Sequence, residues 1–216
     1  MSYERLISIG LLGSDEHSFT YYIIKEIFLN SGYKEIYNVK NVTTILESDD
    51  NIILIMDLNS KTVDSIINLD LYFDILICTS YNQNSYKNLY TKKLVKKAKY
   101  IIINTDDVNS KDILDRNTKA LIVTYGLNNK ATITASSFNS SNNIEFNLYI
   151  QREYNAINGI KIELMEMPIA INLVGETNIY YGLGAIACVL SCGITVDKLE
   201  KAISKINSKY WFLGKS

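Results

Sequence analysis

Residues 5–125 switch repeatedly between short runs that are apolar throughout and segments with helical periodicity, and this alternation limits the fold more than any other feature. Arg5 to Leu12 reads as a buried strand, and Ile52 to Met56 is apolar at every position. Asp74 to Thr79, Tyr100 to Asn104 and Ala120 to Thr124 supply three further runs, and Glu35 to Val39 a short one. Between them, Thr20, Ile23, Ile24, Ile27 and Phe28 recur at helical spacing, on a helix that ends near Gly32. Lys61 to Leu69 and Ser85 to Lys97 fit two more helices. A strand with no polar face is buried on both sides. Helices must then cover the sheet above and below, and the strands run parallel.

The pattern changes after Gly126. Ile144, Phe146, Leu148 and Ile150 alternate with Glu145, Asn147, Tyr149 and Gln151, as on a half-exposed antiparallel strand. Ile160, Ile162 and Leu164 repeat the alternation, and Ala131 to Phe138 adds a third segment. Two helices close the chain. One runs from Asn178 to Ser191 and stops at Gly193; the other starts after Thr195, an expected N-cap, with Leu199, Ala202, Ile203 and Ile206 on one face. The expected architecture is a mostly parallel, doubly wound α/β sheet with a small appended antiparallel sheet. It forms one domain over 1–216: a parallel part over 1–126, antiparallel strands over 127–170 and closing helices over 171–216.

Composition excludes several classes of function. A net charge of −1 creates no field toward nucleic acid or anionic membrane, so neither is expected as a partner. The apolar stretch from Ile179 to Ile194 is too short to span a bilayer and is interrupted by Gly182 and Gly184. Met1 to Arg5 leads directly into a strand with no signal-peptide pattern, so a cytoplasmic protein is expected. Cys78, Cys188 and Cys192 lack metal-ligand spacing. The pair four residues apart reads as small buried hydrophobes, which suits a reducing compartment. Lys87, Lys92, Lys93, Lys96 and Lys97 read as the solvated face of a helix.

Parallel α/β sheets bind ligands beyond the carboxyl ends of their strands. The first strand–helix turn reads Gly10-Leu-Leu-Gly-Ser-Asp-Glu-His-Ser-Phe-Thr20. A phosphate loop needs glycines for close backbone approach, a lysine for phosphate charge and a hydroxyl for magnesium. Gly13 meets the first need and Ser18 can hold a metal or cap the helix, whereas Asp15 and Glu16 set negative charge where phosphates would lie. His17, the single histidine, reads as a surface residue of the first helical turn or as a phosphate contact. Asp57 ends a strand and can face magnesium or cap a helix; Asn104-Thr-Asp-Asp107 ends another and can face a ligand or make a turn.

Several segments, in order, resemble the ATP-binding central domain of the Mur ligases, which join amino acids to the UDP-muramyl precursor of peptidoglycan. Val123-Thr-Tyr-Gly-Leu-Asn-Asn-Lys-Ala-Thr-Ile-Thr-Ala135 is similar to the family's T-[FY]-G-L segment, and Ile103-Asn-Thr-Asp-Asp107 to its N-x-D-D motif. Gly175-Glu-Thr-Asn-Ile-Tyr-Tyr-Gly-Leu-Gly-Ala-Ile-Ala187 resembles the helix motif with two asparagines, and Ile55-Met-Asp-Leu-Asn-Ser60 the M-E-x-S-S strand. The resemblance implies ATP and Mg²⁺ as cofactors. It sets Gly13, Ser14, His17, Ser18, Asn104, Asp107 and Asn178 at the nucleotide, and Ser18 and Asp57 at the metal.

Departures are as informative. The family's G-T-N-G-K-T falls on Gly13-Ser14-Asp15-Glu16-His17-Ser18, so His17 stands for the lysine and Glu16 for a glycine. Tyr181 replaces the second asparagine, and the D-H-x-x-x-H stretch after Thr79 is absent. The family's UDP-binding and carboxy-terminal domains have no counterpart in these 216 residues. Three readings follow. The first is a catalytically degenerate central domain, binding or scaffolding a protein partner or a second copy, with at most weak nucleotide affinity. The second is part of an ATP-dependent acid–amino acid ligase completed by other domains or chains. The third is an unrelated α/β small-molecule-binding or receiver-like domain.

Overall fold

The computed structural model describes residues 5–13, 18–39, 42–58, 71–79, 89–108, 110–114, 118–139, 144–171 and 178–206. Strand β1 (Arg5–Leu12) leads to helix α1 (Ser18–Asn30), followed by β2 (Lys34–Val39), β3 (Thr43–Glu47), β4 (Asn51–Asp57) and β5 (Ile75–Cys78). Then come α2 (Leu89–Lys97), β6 (Tyr100–Asn104), a 3-10 turn (Ser110–Ile113) and β7 (Leu121–Tyr125). Strands β8 (Ile133–Asn139), β9 (Ile144–Ile150), β10 (Tyr154–Asn155), β11 (Lys161–Ile162) and β12 (Met165–Ile171) precede α3 (Asn178–Ser191) and α4 (Val196–Ile203).

Among the described residues the main sheet has the order β12-β9-β8-β7-β6-β5-β1-β4-β3-β2. Its centre, from β4 through β1, β5 and β6 to β7, is parallel, as the continuous apolar runs require. Alternate residues of these strands face two cores. On one side Ile9, Leu11, Ile55 and Ile77 pack with α1, α3 and α4; on the other Leu76, Ile101 and Ile103 pack with Leu94 and Val95 of α2. Helix α3 is buried along almost its whole length, and the isolated smallness of Gly182 and Gly184 lets it sit close to the sheet. No helix of the described residues is long and apolar enough to cross a membrane.

Both margins depart from simple alternation. The Glu35–Val39 segment is a strand, yet it belongs to an antiparallel hairpin with β3, a strand that the apolar-run pattern passes over. Val39 and Thr43 lie too close in sequence for the dozen or more residues that a parallel crossover needs. On the far side β8, β9 and β12 extend the main sheet antiparallel, and β7 joins β8 at a parallel bridge, Tyr125 to Ile133. The segment from Ile160 to Leu164 is strand only at Lys161–Ile162, paired with Tyr154–Asn155 in a separate two-stranded sheet. Leu164 is 60% exposed, so the alternation there does not mark a core face. Strand β12 carries Pro168, which suits its place at the sheet edge.

Helix α3 has the bounds expected, and Gly193 closes it with φ +95°. Thr195 is the N-cap of α4 with extended backbone, but its side chain makes no capping bond. Helix α2 covers the later part of the Ser85–Lys97 segment, with Lys92, Lys93, Lys96 and Lys97 exposed. The helix expected at Lys61 to Leu69 lies outside the described residues. Cys78, Cys188 and Cys192 are all buried and free.

Asp74 ties β1 to β5 from the amino end. Its carboxylate accepts bonds from the Ser8 amide (2.9 Å) and hydroxyl (3.0 Å) and pairs with Lys99 at 2.6 Å. Burial acts to raise its pKa, but the Lys99 ammonium and the two Ser8 donors outweigh it and hold the carboxyl below its ordinary value. The sign follows from linkage. A depressed carboxylate contributes stability that is present above the unfolded pKa, about 3.9, and is lost as pH falls through the lower folded value. Asp74→Asn is expected to cost about 1–3 kcal/mol at neutral pH and to flatten the acid limb below about pH 4, read by urea denaturation across pH. An unchanged acid limb would assign that limb to other carboxylates.

Candidate functional site

The parallel strands end together at one edge of the sheet, and the chain order reverses there. After β1 the chain crosses to β4 on one flank, then returns to β5 on the other. The carboxyl ends of β1 and β5 flank this switch point, where the Thr79 amide donates to the Leu12 carbonyl at 3.0 Å. Gly13 follows β1 directly, and α1 starts at Ser18, so its positive dipole end lies at the same edge.

Three predicted positions, Asp57, Asn104 and Asn178, lie at this edge because each terminates or starts an element, and Asp107 follows one of them. Asp57 is the last residue of β4 and is 9% exposed. Asn104 is the last residue of β6, and its side-chain oxygen accepts the Asp106 amide at 2.9 Å. Asp107 follows in the same turn; its charge, second to burial, helps raise the pKa of Cys78. Asn178 opens α3. Ser18 is the first residue of α1; Ser14 and His17, with Asp15 and Glu16, lie outside the described residues. The two helix starts are joined by Phe19 and Tyr181, whose rings stack with centroids 5.8 Å apart and planes inclined by 13°. Tyr181 therefore does something its asparagine counterpart cannot: it closes a ring contact to α1.

A polar network that spacing did not single out braces the floor. The Asp106 carboxylate accepts the Leu127 amide at 2.6 Å and the Tyr180 hydroxyl at 3.2 Å, and also binds the Asn128 amide group. Thr105 accepts Asn128 at 2.7 Å and donates to the Tyr125 carbonyl at 3.2 Å. These bonds fasten the loop after β7 to the loop after β6 and both to the first turn of α3. Partial burial and then the Asp106 charge raise the Tyr180 pKa, which keeps the phenol protonated as a donor. Gly126 is obligatory in this weave, since a Cβ there would sit 2.6 Å from the Thr105 hydroxyl oxygen and 2.9 Å from the Asp106 carboxylate. The glycine of the Val123–Ala135 segment was the legible signal; its partners were not.

The metal set is sparse. No group of three or more His, Cys, Asp or Glu among the described residues can hold an ion. Mg²⁺ is commonly bound through one or two carboxylates plus phosphate oxygens and waters; Asp57, at the end of β4, is a carboxylate at this edge.

The motifs that resemble the family fall at the ends of β4, β6 and β7 and at the start of α3. No family profile matches the chain. A UDP-N-acetylmuramoyl-L-alanyl-D-glutamate–2,6-diaminopimelate ligase of Clostridium acetobutylicum is 26% identical over 94% of the chain and 46% of its own length. The corresponding ligase of Clostridium perfringens is 30% identical over 56% of the chain and 24% of its own length. Among solved structures, MurF from Acinetobacter baumannii superposes with a TM-score of 0.69 at 12% identity, over 94% of this chain and 46% of that one. The chain thus spans about half the length, or less, of the relatives it matches. In sequence over nearly its whole length, and in fold, the chain is a homologue of the Mur ligases with the architecture of their central domain.

Proposed function

We propose that the chain is a Mur-ligase-like module that binds or scaffolds rather than ligates, with at most weak affinity for ATP and Mg²⁺. One observation carries this reading: Asp15, Glu16 and His17 stand in the turn after β1 where the resemblance expects asparagine, glycine and lysine. A carboxylate about 4 Å from a phosphate charge, at an effective dielectric near 20, costs about 4 kcal/mol, close to a thousandfold in affinity. That is an upper bound for each acid, and the missing ammonium adds a loss of similar order. The helix dipole of α1 offsets only about 1 kcal/mol of this. Its partner is a protein or a second copy of the chain, in the reducing cytoplasm, where the three free cysteines stay reduced. Calorimetric titration with ATP·Mg is expected to give a dissociation constant weaker than about 100 µM. A value below about 10 µM would defeat the reading.

A second reading is favoured by the relatives, which are ligases about twice the chain's length. In it the chain supplies the nucleotide-binding part of an ATP-dependent acid–amino acid ligase whose other domains or partner chains complete the site. Phosphate release by the full natural reading frame, given ATP·Mg, UDP-N-acetylmuramoyl-L-alanyl-D-glutamate and 2,6-diaminopimelate, separates the two. Release that depends on both substrates would establish ligation.

A further inference from the structure

At the opposite end of the sheet, where the parallel strands begin, the turns after α1, β3 and α3 wall a cavity of about 690 Å³. Small-molecule sites usually measure about 300–1,000 Å³ and are mostly apolar. This one has the size but not the lining: among the described residues that form it, Ile160 and Ile194 are the only aliphatic ones. Its walls carry charges of both signs, Lys34 and Lys198 against Glu47, Asp49 and Asp50. None of the five has an ion-pair partner among the described residues, although Lys25–Glu35, Lys99–Asp74 and Lys161–Glu153 are paired elsewhere. The Ser31 hydroxyl oxygen in the wall is buried and meets no hydrogen-bond partner among the described residues.

The frame is fixed. Ser48 accepts the Asn51 amide at 3.2 Å and the Asp50 amide at 3.4 Å, which closes the turn after β3. The Asn158 side chain fills the space where a Cβ of Gly193 would lie. The backbone adds a polarity of its own. Helices α1 and α3 both end here, neither with a basic residue in its last turn, so their carbonyl ends favour a cation. Helix α4 starts beside them: its positive end and Lys198 favour an anion, against the opposing charge of Asp197 in its first turn.

We propose that this cavity is a second binding site, independent of the nucleotide edge, for a small zwitterion: a free amino acid or a short peptide with both termini free. The ammonium meets Glu47, Asp49 and Asp50, and the carboxylate meets Lys34 and Lys198. Such groups are exposed and each pair is weak, so affinity is in the millimolar range and rests on both ends together.

The test is amide chemical-shift titration of the whole chain with triglycine, its N-acetyl form and its carboxamide, and with the free amino acids singly. Triglycine or at least one amino acid is expected to shift the amides of Gly32, Asn51 and Gly193. Capping either end of the binder, or introducing Lys34→Gln or Asp50→Asn, weakens binding about tenfold. Both substituted side chains are exposed, so the fold is retained. No shift at these amides up to about 20 mM of any probe would overturn the proposal, as would insensitivity to either cap. ATP·Mg titrated separately is read at Gly13 and Asn104, so failure at one end of the sheet is distinguishable from failure at the other.

Discussion

ATP·Mg affinity is expected to rise about a thousandfold when Asp15→Asn, Glu16→Gly and His17→Lys are combined. The three changes restore the phosphate-loop pattern on Gly13-Ser14-Asn-Gly-Lys-Ser18 while leaving the sheet untouched. Removing Glu16 both withdraws a negative charge and frees the backbone for close approach, which only glycine allows. Removing Asp15 withdraws a second charge, and lysine in place of His17 adds a permanent cation at neutral pH. The positive end of α1, already aligned at the switch point, then works with the loop rather than alone. Calorimetry on the native chain and on the single and triple variants would show the gain building in steps, with Glu16→Gly the largest single one. A triple variant that is folded by circular dichroism yet binds no better than the native chain would locate the defect elsewhere, at Tyr181 or beyond the phosphate turn.

The second large effect concerns Tyr125, whose ring is buried beneath α3 at the carboxyl end of β7. Tyr125→Ala is expected to cost about 3–5 kcal/mol, a large part of the 5–15 kcal/mol typical of a domain. The ring, not the hydroxyl, carries this. The hydroxyl donates to the Cys78 carbonyl at 3.4 Å, a long bond, so Tyr125→Phe should cost less than about 1 kcal/mol. Gly184 gives an internal control, because a Cβ there would stand 3.1 Å from the Tyr125 ring. Gly184→Ala should destabilise the native chain, yet stabilise the Tyr125→Ala background by about 0.5–1 kcal/mol through helix propensity once the ring is gone. Urea denaturation of the four proteins measures the cycle. Equal losses for phenylalanine and alanine at position 125 would show that the hydroxyl matters more than its geometry allows.

Legibility was uneven for physical reasons. Arg5–Leu12, Tyr100–Asn104 and Asn178–Ser191 have the bounds that their patterns announce. An apolar run has one stable environment, and α3, which continues through Gly182 and Gly184, stops where Gly193 takes φ +95°. Strand β3 was missed because Thr-Thr-Ile-Leu-Glu is half-buried and mixed in polarity, and β12 because Pro168 interrupts its pattern. The element boundaries at which Gly13, Asp57, Asn104 and Asn178 sit were readable from the strand and helix patterns. Asp106, Asn128 and Tyr180 were not, because their bonds join loops 21 to 74 residues apart in sequence.

The chain's own order of residues determined the parallel core, the closing helices and the acidic character of the turn after β1, for these depend on local periodicity and on which side chains occupy one short loop. Tertiary structure alone decided that β2 turns back on β3, that the later strands extend the same sheet, and that five charges with no ion-pair partner among the described residues line one cavity. Those outcomes follow from which backbone edges are left to be paired and which chain ends meet. Neither is a property of any single segment.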